Sequence, residues 1–166
     1  MEEMKVFIVN LGKYTEGEET GEWFSLPLDW DNVKERLGLN KDYEEIAILS
    51  YDLPFRVSEH ESIEELNKKY HLVKELPEEV QDNLEAILSL VDDLEEIAEH
   101  VEDIIFYRGC NNMSDVACYL VEQKGLLNDV VDEIAKYFNY EAYGRDLEIT
   151  GRFCCVKGGM CQLNWI

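Results

Sequence analysis

Basic side chains are scarce in this sequence: 15 Lys and Arg stand against 37 Asp and Glu, a net charge of −22 over 166 residues. Like-charge repulsion makes nucleic acid and anionic membranes poor partners, whereas a basic protein surface is complementary and would be steered toward such a chain. Self-repulsion also favours an elongated fold that keeps the charges apart. Histidine is equally sparse. His60, His71 and His100 are the whole supply, and all three sit in acidic helical or linker sequence, where they read as solvated surface groups without a matched nucleophile and cleft. The Gly-rich phosphate loop and the Gly-x-Ser-x-Gly elbow are both missing. No stretch nears the ~20 apolar residues of a membrane span. Met1-Glu2-Glu3-Met4-Lys5 lacks the basic region and long apolar segment of a secretory leader, so a cytoplasmic location is expected.

Cysteine supplies no framework. The five are an odd number, which fits a reducing compartment better than a set of disulfides. Cys154, Cys155 and Cys161 cluster without the paired Cys-x-x-Cys of a structural zinc site, and read as small buried hydrophobes of a hairpin in which the two neighbours face opposite sides. Carboxylates are abundant enough to suggest a metal. Yet Glu96 and His100 do not make the doubled Glu-x-x-His of di-iron bundles, and Asp29-Trp30-Asp31-Asn32, which resembles the start of a calcium loop, has Lys34 where the loop needs glycine. With no catalytic set, no cofactor motif and no metal set, the chain reads as a binding protein and not an enzyme.

What is present suffices to fold. Apolar residues make up 46% and aromatics 11%, unlike disordered chains of similar charge. Strands are expected at Lys5–Asn10 and Glu22–Leu26, joined by a Gly- and Glu-rich loop. A short helix follows from Asp31 to Gly38, then a strand at Glu45–Tyr51. Ser62-Ile63-Glu64-Glu65 is a capping box. Pro77 opens a second helix with Val80, Leu84, Ile87, Leu88 and Val91 at core spacing. Asp93 to Glu96 looks like a further cap, for a helix through Glu102. The last third reads as a strand at Ile104–Tyr107, a helix from Ser114 to Gly125, a shorter one over Val130–Phe138, and a hairpin of Leu147–Phe153 with Met160–Trp165 across Lys157-Gly158-Gly159. The fold class is α+β, as three small domains (α+β, helical, α+β) at residues 1–61, 62–103 and 104–166.

Charge is unevenly shared. Residues 1–61 hold 15 acids and 6 bases (net −9), residues 62–108 hold 14 and 4 (net −10), and residues 109–166 hold 8 and 5 (net −3). Within residues 92–103, Asp92, Asp93, Glu95, Glu96, Glu99, Glu102 and Asp103 are acidic, while Leu94, Ile97, Ala98 and Val101 mark the buried stripe. As one helix this run would span ~18 Å, or about one charge per 2.6 Å against one per ~1.7 Å along duplex DNA. A solvated helix face is the bland explanation of such runs. Against it, no Lys or Arg lies between Lys74 and Arg108 to pair with these acids at helical spacing. A rigid acidic protein can claim the surface that DNA would otherwise occupy. The competing reading is an acidic interaction or regulatory module whose basic partner has nothing to do with DNA.

Leu11-Gly12-Lys13-Tyr14, Gly21-Glu22-Trp23-Phe24-Ser25-Leu26-Pro27, Asp115-Val116-Ala117 and Ala142-Tyr143-Gly144-Arg145-Asp146-Leu147 resemble, in order and spacing, the signposts of the ArdA antirestriction family over nearly the whole chain. Leu126, Leu127, Asp129, Asp132 and Glu133, continuing to Tyr143, Gly144, Arg145 and Asp146, resemble that family's antirestriction motif. One departure is local: Leu49-Ser50-Tyr51-Asp52 has no acid before the tyrosine. The resemblance implies a protein of mobile genetic elements that occupies the DNA site of Type I restriction-modification enzymes, on their methyltransferase core, without covalent chemistry. It implies an elongated, curved homodimer whose contact lies in the C-terminal domain, with no direct nucleic-acid binding. Glu16, Glu18, Glu19, Glu44 and Glu45, together with Asp92, Asp93, Glu95, Glu96, Glu99, Glu102 and Asp103, would stand in for phosphates. Trp23, Tyr143 and Leu147 are expected to anchor turns to cores.

Overall fold

The computed structural model describes residues 3–166; Met1 and Glu2, part of the opening read above as lacking a leader, lie outside them. The chain is mixed α+β and forms two compact units, Met1–Glu85 and Ala86–Ile166, each with one three-stranded antiparallel sheet. The division falls inside the helical segment expected to form a domain of its own.

In the first unit β1 (Lys5–Asn10) lies between β2 (Gly21–Ser25) and β3 (Ile46–Asp52). Alternation along β1 puts Val6 and Ile8, both fully buried, on one face and Phe7 and Val9 on the other. The segment between β1 and β2, expected as a loop, begins with α1 (Leu11–Thr15). Its start is set by Asn10, a buried residue whose side chain accepts from the Lys13 amide at 3.2 Å and donates to the Leu37 carbonyl at 3.2 Å. That single amide ties α1 to the end of α2 (Trp30–Leu37). Asp29 caps α2 by accepting from the Asp31 amide, and Gly38 closes it at φ 62°. Ser62 caps α3 (Ile63–Glu75) through the Glu65 amide, as the capping box predicts. Asn67 of α3 exchanges two hydrogen bonds with the Leu28 backbone, at 2.6 and 2.8 Å.

The second expected helix is two, α4 (Glu78–Asp82) and α5 (Leu84–Leu88). Between them Asn83 leaves helical geometry while its side chain donates to the Glu79 carbonyl at 2.8 Å, the local competition with helix that asparagine offers. Val80, Leu84, Ile87 and Val91 are buried as their spacing predicts.

In the second unit α6 (Leu94–Glu99) is capped by Asp93, as expected, but stops at Glu99; His100 breaks it and a 3-10 turn covers Val101–Asp103. The acidic run is therefore not one straight helix. The sheet places β6 (Gly159–Leu163) between β4 (Ile104–Arg108) and β5 (Arg152–Val156). The helix expected from Ser114 is α7 (Met113–Lys124), and its cap is Asn112, which accepts from the Asp115 amide. The Val130–Phe138 helix shrinks to α8 (Asp132–Ala135).

Leu147–Ile149, expected in a strand, belongs to α9 (Tyr140–Thr150), capped by Asn139. Helix α9 packs on α7. Gly144 makes that approach possible: a methyl group there would sit 2.5 Å from the Met113 carbonyl oxygen and 3.1 Å from the Ser114 amide. Between α7 and the sheet the core gathers Tyr107, Cys110, Val116 and Met160, with Ile105, Met113, Leu120 and Phe153 packed against them.

A hairpin does turn across Lys157-Gly158-Gly159, but its first strand is β5 and not Leu147–Phe153, with Cys154 opposite Cys161 and Cys155 opposite Met160. All five cysteines are free thiols. Of the three cysteines expected to be buried in the hairpin, Cys161 is buried, Cys154 is half-buried and Cys155 is exposed; Cys110 is buried as well.

Candidate partner-binding surface

In the first unit the acidic residues are gathered by Tyr43. The phenol donates to the Glu16 carboxylate at 2.8 Å, and this bond, with the nearby charges of Glu16, Glu18 and Asp42, holds the Tyr43 hydroxyl above its ordinary pKa. The Leu11 amide donates to the Glu45 carbonyl at 2.9 Å. The 16–19 turn and the 42–45 segment, far apart in sequence, therefore lie side by side. Glu16, Glu18, Glu19, Glu44 and Glu45 are all exposed. Asp42 joins them, and nothing in its local sequence marks it out.

In the second unit Asp92, Asp93, Glu95, Glu99, Glu102 and Asp103 are exposed and Glu96 is half-buried. Three of these groups have structural duties. Asp93 accepts from the Glu95 and Glu96 amides as the α6 cap. Glu96 accepts from the Trp165 indole at 2.9 Å, while that ring stacks on His100 at 5.0 Å. Asp103 faces His100 at 3.5 Å. The break at His100 ends α6 before Glu102 and Asp103, so the carboxylates do not form the evenly spaced row that a single helix would give. Of the stripe expected to be buried, Leu94 and Ile97 are, while Ala98 and Val101 are half-covered.

The motif-like residues divide by role. Gly144 is buried at the α7–α9 crossing, and Leu127 and Tyr143 are half-buried. Asp129, Asp132, Glu133, Arg145 and Asp146 are exposed, with Arg145 3.4 Å from Glu141. Leu126 is exposed together with Tyr119, Val131, Ile134, Tyr137 and Ile149, large apolar side chains of α7 to α9 and their connections. Trp23, expected to anchor a turn to the core, is 47% exposed and leans on Phe7 with ring centroids 5.6 Å apart. Tyr143 does anchor, edge-on to Phe138.

No group of three or more His, Cys, Asp or Glu suited to holding a metal occurs among the described residues. No described helix is long and apolar enough to cross a membrane.

Two small antiparallel sheets dressed with exposed carboxylates, and buried groups engaged in packing and capping, define an acidic α+β protein. The family model for the antirestriction protein ArdA matches residues 6–162. The chain belongs to the ArdA family of antirestriction proteins, a family of inhibitors. Comparison with curated proteins yields no match.

Proposed function

We propose that this protein inhibits Type I restriction-modification enzymes by occupying, on the methyltransferase core, the channel that receives duplex DNA. Exposure of the acids carries the reading: eleven of the twelve carboxylates expected to mimic phosphates face solvent, in a chain of net charge −22. A DNA-binding channel lined with lysine and arginine gains from releasing the counterions of a polyanion, and a folded polyanion offers it the same exchange. Glu16, Glu18, Glu19, Glu44 and Glu45 contribute from the first unit, joined by Asp42. Asp92, Asp93, Glu95, Glu96, Glu99, Glu102 and Asp103 contribute from the second, where Asp93 and Glu96 act mainly by holding the array in shape.

The near-neutral C-terminal third serves a different end in this reading. Its exposed apolar side chains, among them Ile134 and Tyr137, suit self-association into a homodimer better than contact with a charged channel. An elongated, curved dimer of three modules per chain, residues 1–61, 62–103 and 104–166, belongs to the same proposal. So do the absence of catalysis and of direct nucleic-acid binding, an origin on mobile elements, and work in the cytoplasm, where restriction enzymes meet incoming DNA.

The test is a protection assay. Unmodified duplex DNA carrying a Type I recognition site is incubated with the purified enzyme and increasing amounts of this protein. Cleavage and methyl transfer should both fall to background near one inhibitor dimer per enzyme. Undiminished cleavage across a panel of such enzymes would defeat the proposal.

A further inference from the structure

The second face of the first unit's sheet carries a cleft that shares only Glu19 with the distributed array of carboxylates. It has a volume of about 360 Å³ and is lined by Phe7, Val9, Tyr14, Glu19, Thr20 and Gly21. Its floor exists because position 21 has no side chain. The Phe7 ring lies across Gly21, where an added methyl would come within 2.6 Å of Cζ and 2.8 Å of the Val9 side chain. Val9 pairs with Gly21 across the β1–β2 ladder, so both face this side. The walls are chemically unlike the rest of the acidic surface: two aromatic rings, one aliphatic side chain and a single carboxylate. Tyr14 is half exposed, and the Glu19 side chain is exposed and has no ion-pair partner among the described residues. Thr20 Oγ1 is the one buried side-chain polar atom among the described residues that lacks a hydrogen-bond partner. A wall hydroxyl with an unused donor and acceptor is costly to leave so, and is better understood beside a ligand that supplies a polar group.

Apolar length, aromatic faces and one carboxylate together match one kind of guest, a cation on an alkyl stem. Aromatic faces attract cations through the ring quadrupole, an apolar floor covers the methylenes of a long basic side chain, and the carboxylate discriminates charged from neutral. We propose that this cleft is an anchoring site for a single basic side chain, arginine or lysine, of the protein partner, with its stem along Val9 and Phe7 and its head beside Tyr14 and Glu19. The identity of the partner rests on the function proposed above, whereas the chemistry of the cleft does not. Binding would then combine many small, screened contacts with one seated residue, and Glu19 would differ in kind from Glu16 and Glu18 on the same turn.

The test uses the whole protein and a small probe. N-propylguanidinium is titrated while backbone amide shifts are followed by NMR, with N-propylurea as the neutral isostere. Expected are saturable shifts confined to the amides of Phe7, Val9, Tyr14 and residues 19–21, with a Kd of about 10 mM, the scale open to so small a ligand. The urea should give none. Glu19→Gln should weaken the guanidinium about fivefold and Tyr14→Ala about threefold, whereas Glu64→Gln, an exposed acid of α3, should change nothing. Equal binding of the urea, unsaturable shifts spread over all the carboxylates, or wild-type affinity in both cleft variants would overturn the proposal. Because the probe needs no restriction enzyme, saturable binding with failed protection would sink the antirestriction mechanism and leave the cleft standing, and the reverse result would do the opposite.

Discussion

The two sheets are built alike and dressed differently. Each is a three-stranded antiparallel sheet with one central strand, β1 in the first unit and β6 in the second. Around β1 the connections carry Glu16, Glu18, Glu19, Asp42, Glu44 and Glu45. Around β6 the second unit's helices and their connections expose Leu126, Val131, Ile134, Tyr137 and Ile149, and the net charge beyond residue 108 is only −3. The same scaffold thus supports a surface that repels its own kind and one that can tolerate it. Fold alone does not decide which, since residues at exposed positions of helices and loops are free to vary in charge without changing the core.

The largest effects are expected from the two cores. Leu66 of α3 is fully buried in the first unit, and Leu66→Ala should cost about 3 kcal/mol of unfolding free energy in urea titration. Gly144→Ala, which pushes a methyl into the Met113 backbone of the second unit, should cost about 2 kcal/mol. A wild-type midpoint for either would mean that Leu66 or Gly144 is not packed in its core. The apolar surface is tested next. Ile134 and Tyr137 are 61% and 77% exposed, so Ile134→Asp with Tyr137→Asp should leave folding intact yet halve the mass seen by sedimentation if that surface joins two copies. An unchanged mass would move the contact elsewhere.

Charge effects should be smaller and cumulative. Glu99→Gln with Glu102→Gln is expected to weaken inhibition several-fold and to flatten its salt dependence, because each exposed contact contributes ~1 kcal/mol or less. The smallest effect concerns pH. Burial of Glu61 would raise its pKa, but the hydrogen bond from Lys69, a second from the Ser58 amide and the Lys69 charge outweigh it, so the carboxyl titrates below its ordinary value of 4.5. A lowered pKa means that the folded state holds the proton less tightly than the unfolded chain. The stability it lends is complete above pH 4.5 and is lost as pH falls through the folded value. Glu61→Gln should therefore remove part of the stability difference between pH 6 and pH 3, and an unaltered pH dependence would refute the assignment.

Features written in local chemistry were legible in the sequence. Ser62 and Asp93 cap where their side chains predict, Gly38 and Gly125 close α2 and α7 in the left-handed region, and the 157–159 turn joins two strands. Features fixed by distant partners were not. The short alternation Leu147-Glu148-Ile149 suggests a strand, yet Asn139 starts a helix there and Gly144 lets it lie on α7. The acidic run reads as a continuous helix, but His100 leaves it and stacks on Trp165, far along the chain. Exposure of the acids followed from composition and the lack of nearby bases. Their grouping around Tyr43, which brings Glu16 and Glu45 together, required the fold, and so did the exposure of Trp23.

Displacement of DNA from its own site by these carboxylates is measured by titrating the protein into a Type I methyltransferase bound to labelled duplex DNA at two salt concentrations. Displacement with a steep loss of potency at higher salt is the result this account predicts, because a polyanion-lined contact is screened as a DNA contact is. A ternary complex in which DNA stays bound, or inhibition indifferent to salt, would contradict it and favour an acidic module that acts on a surface away from the DNA.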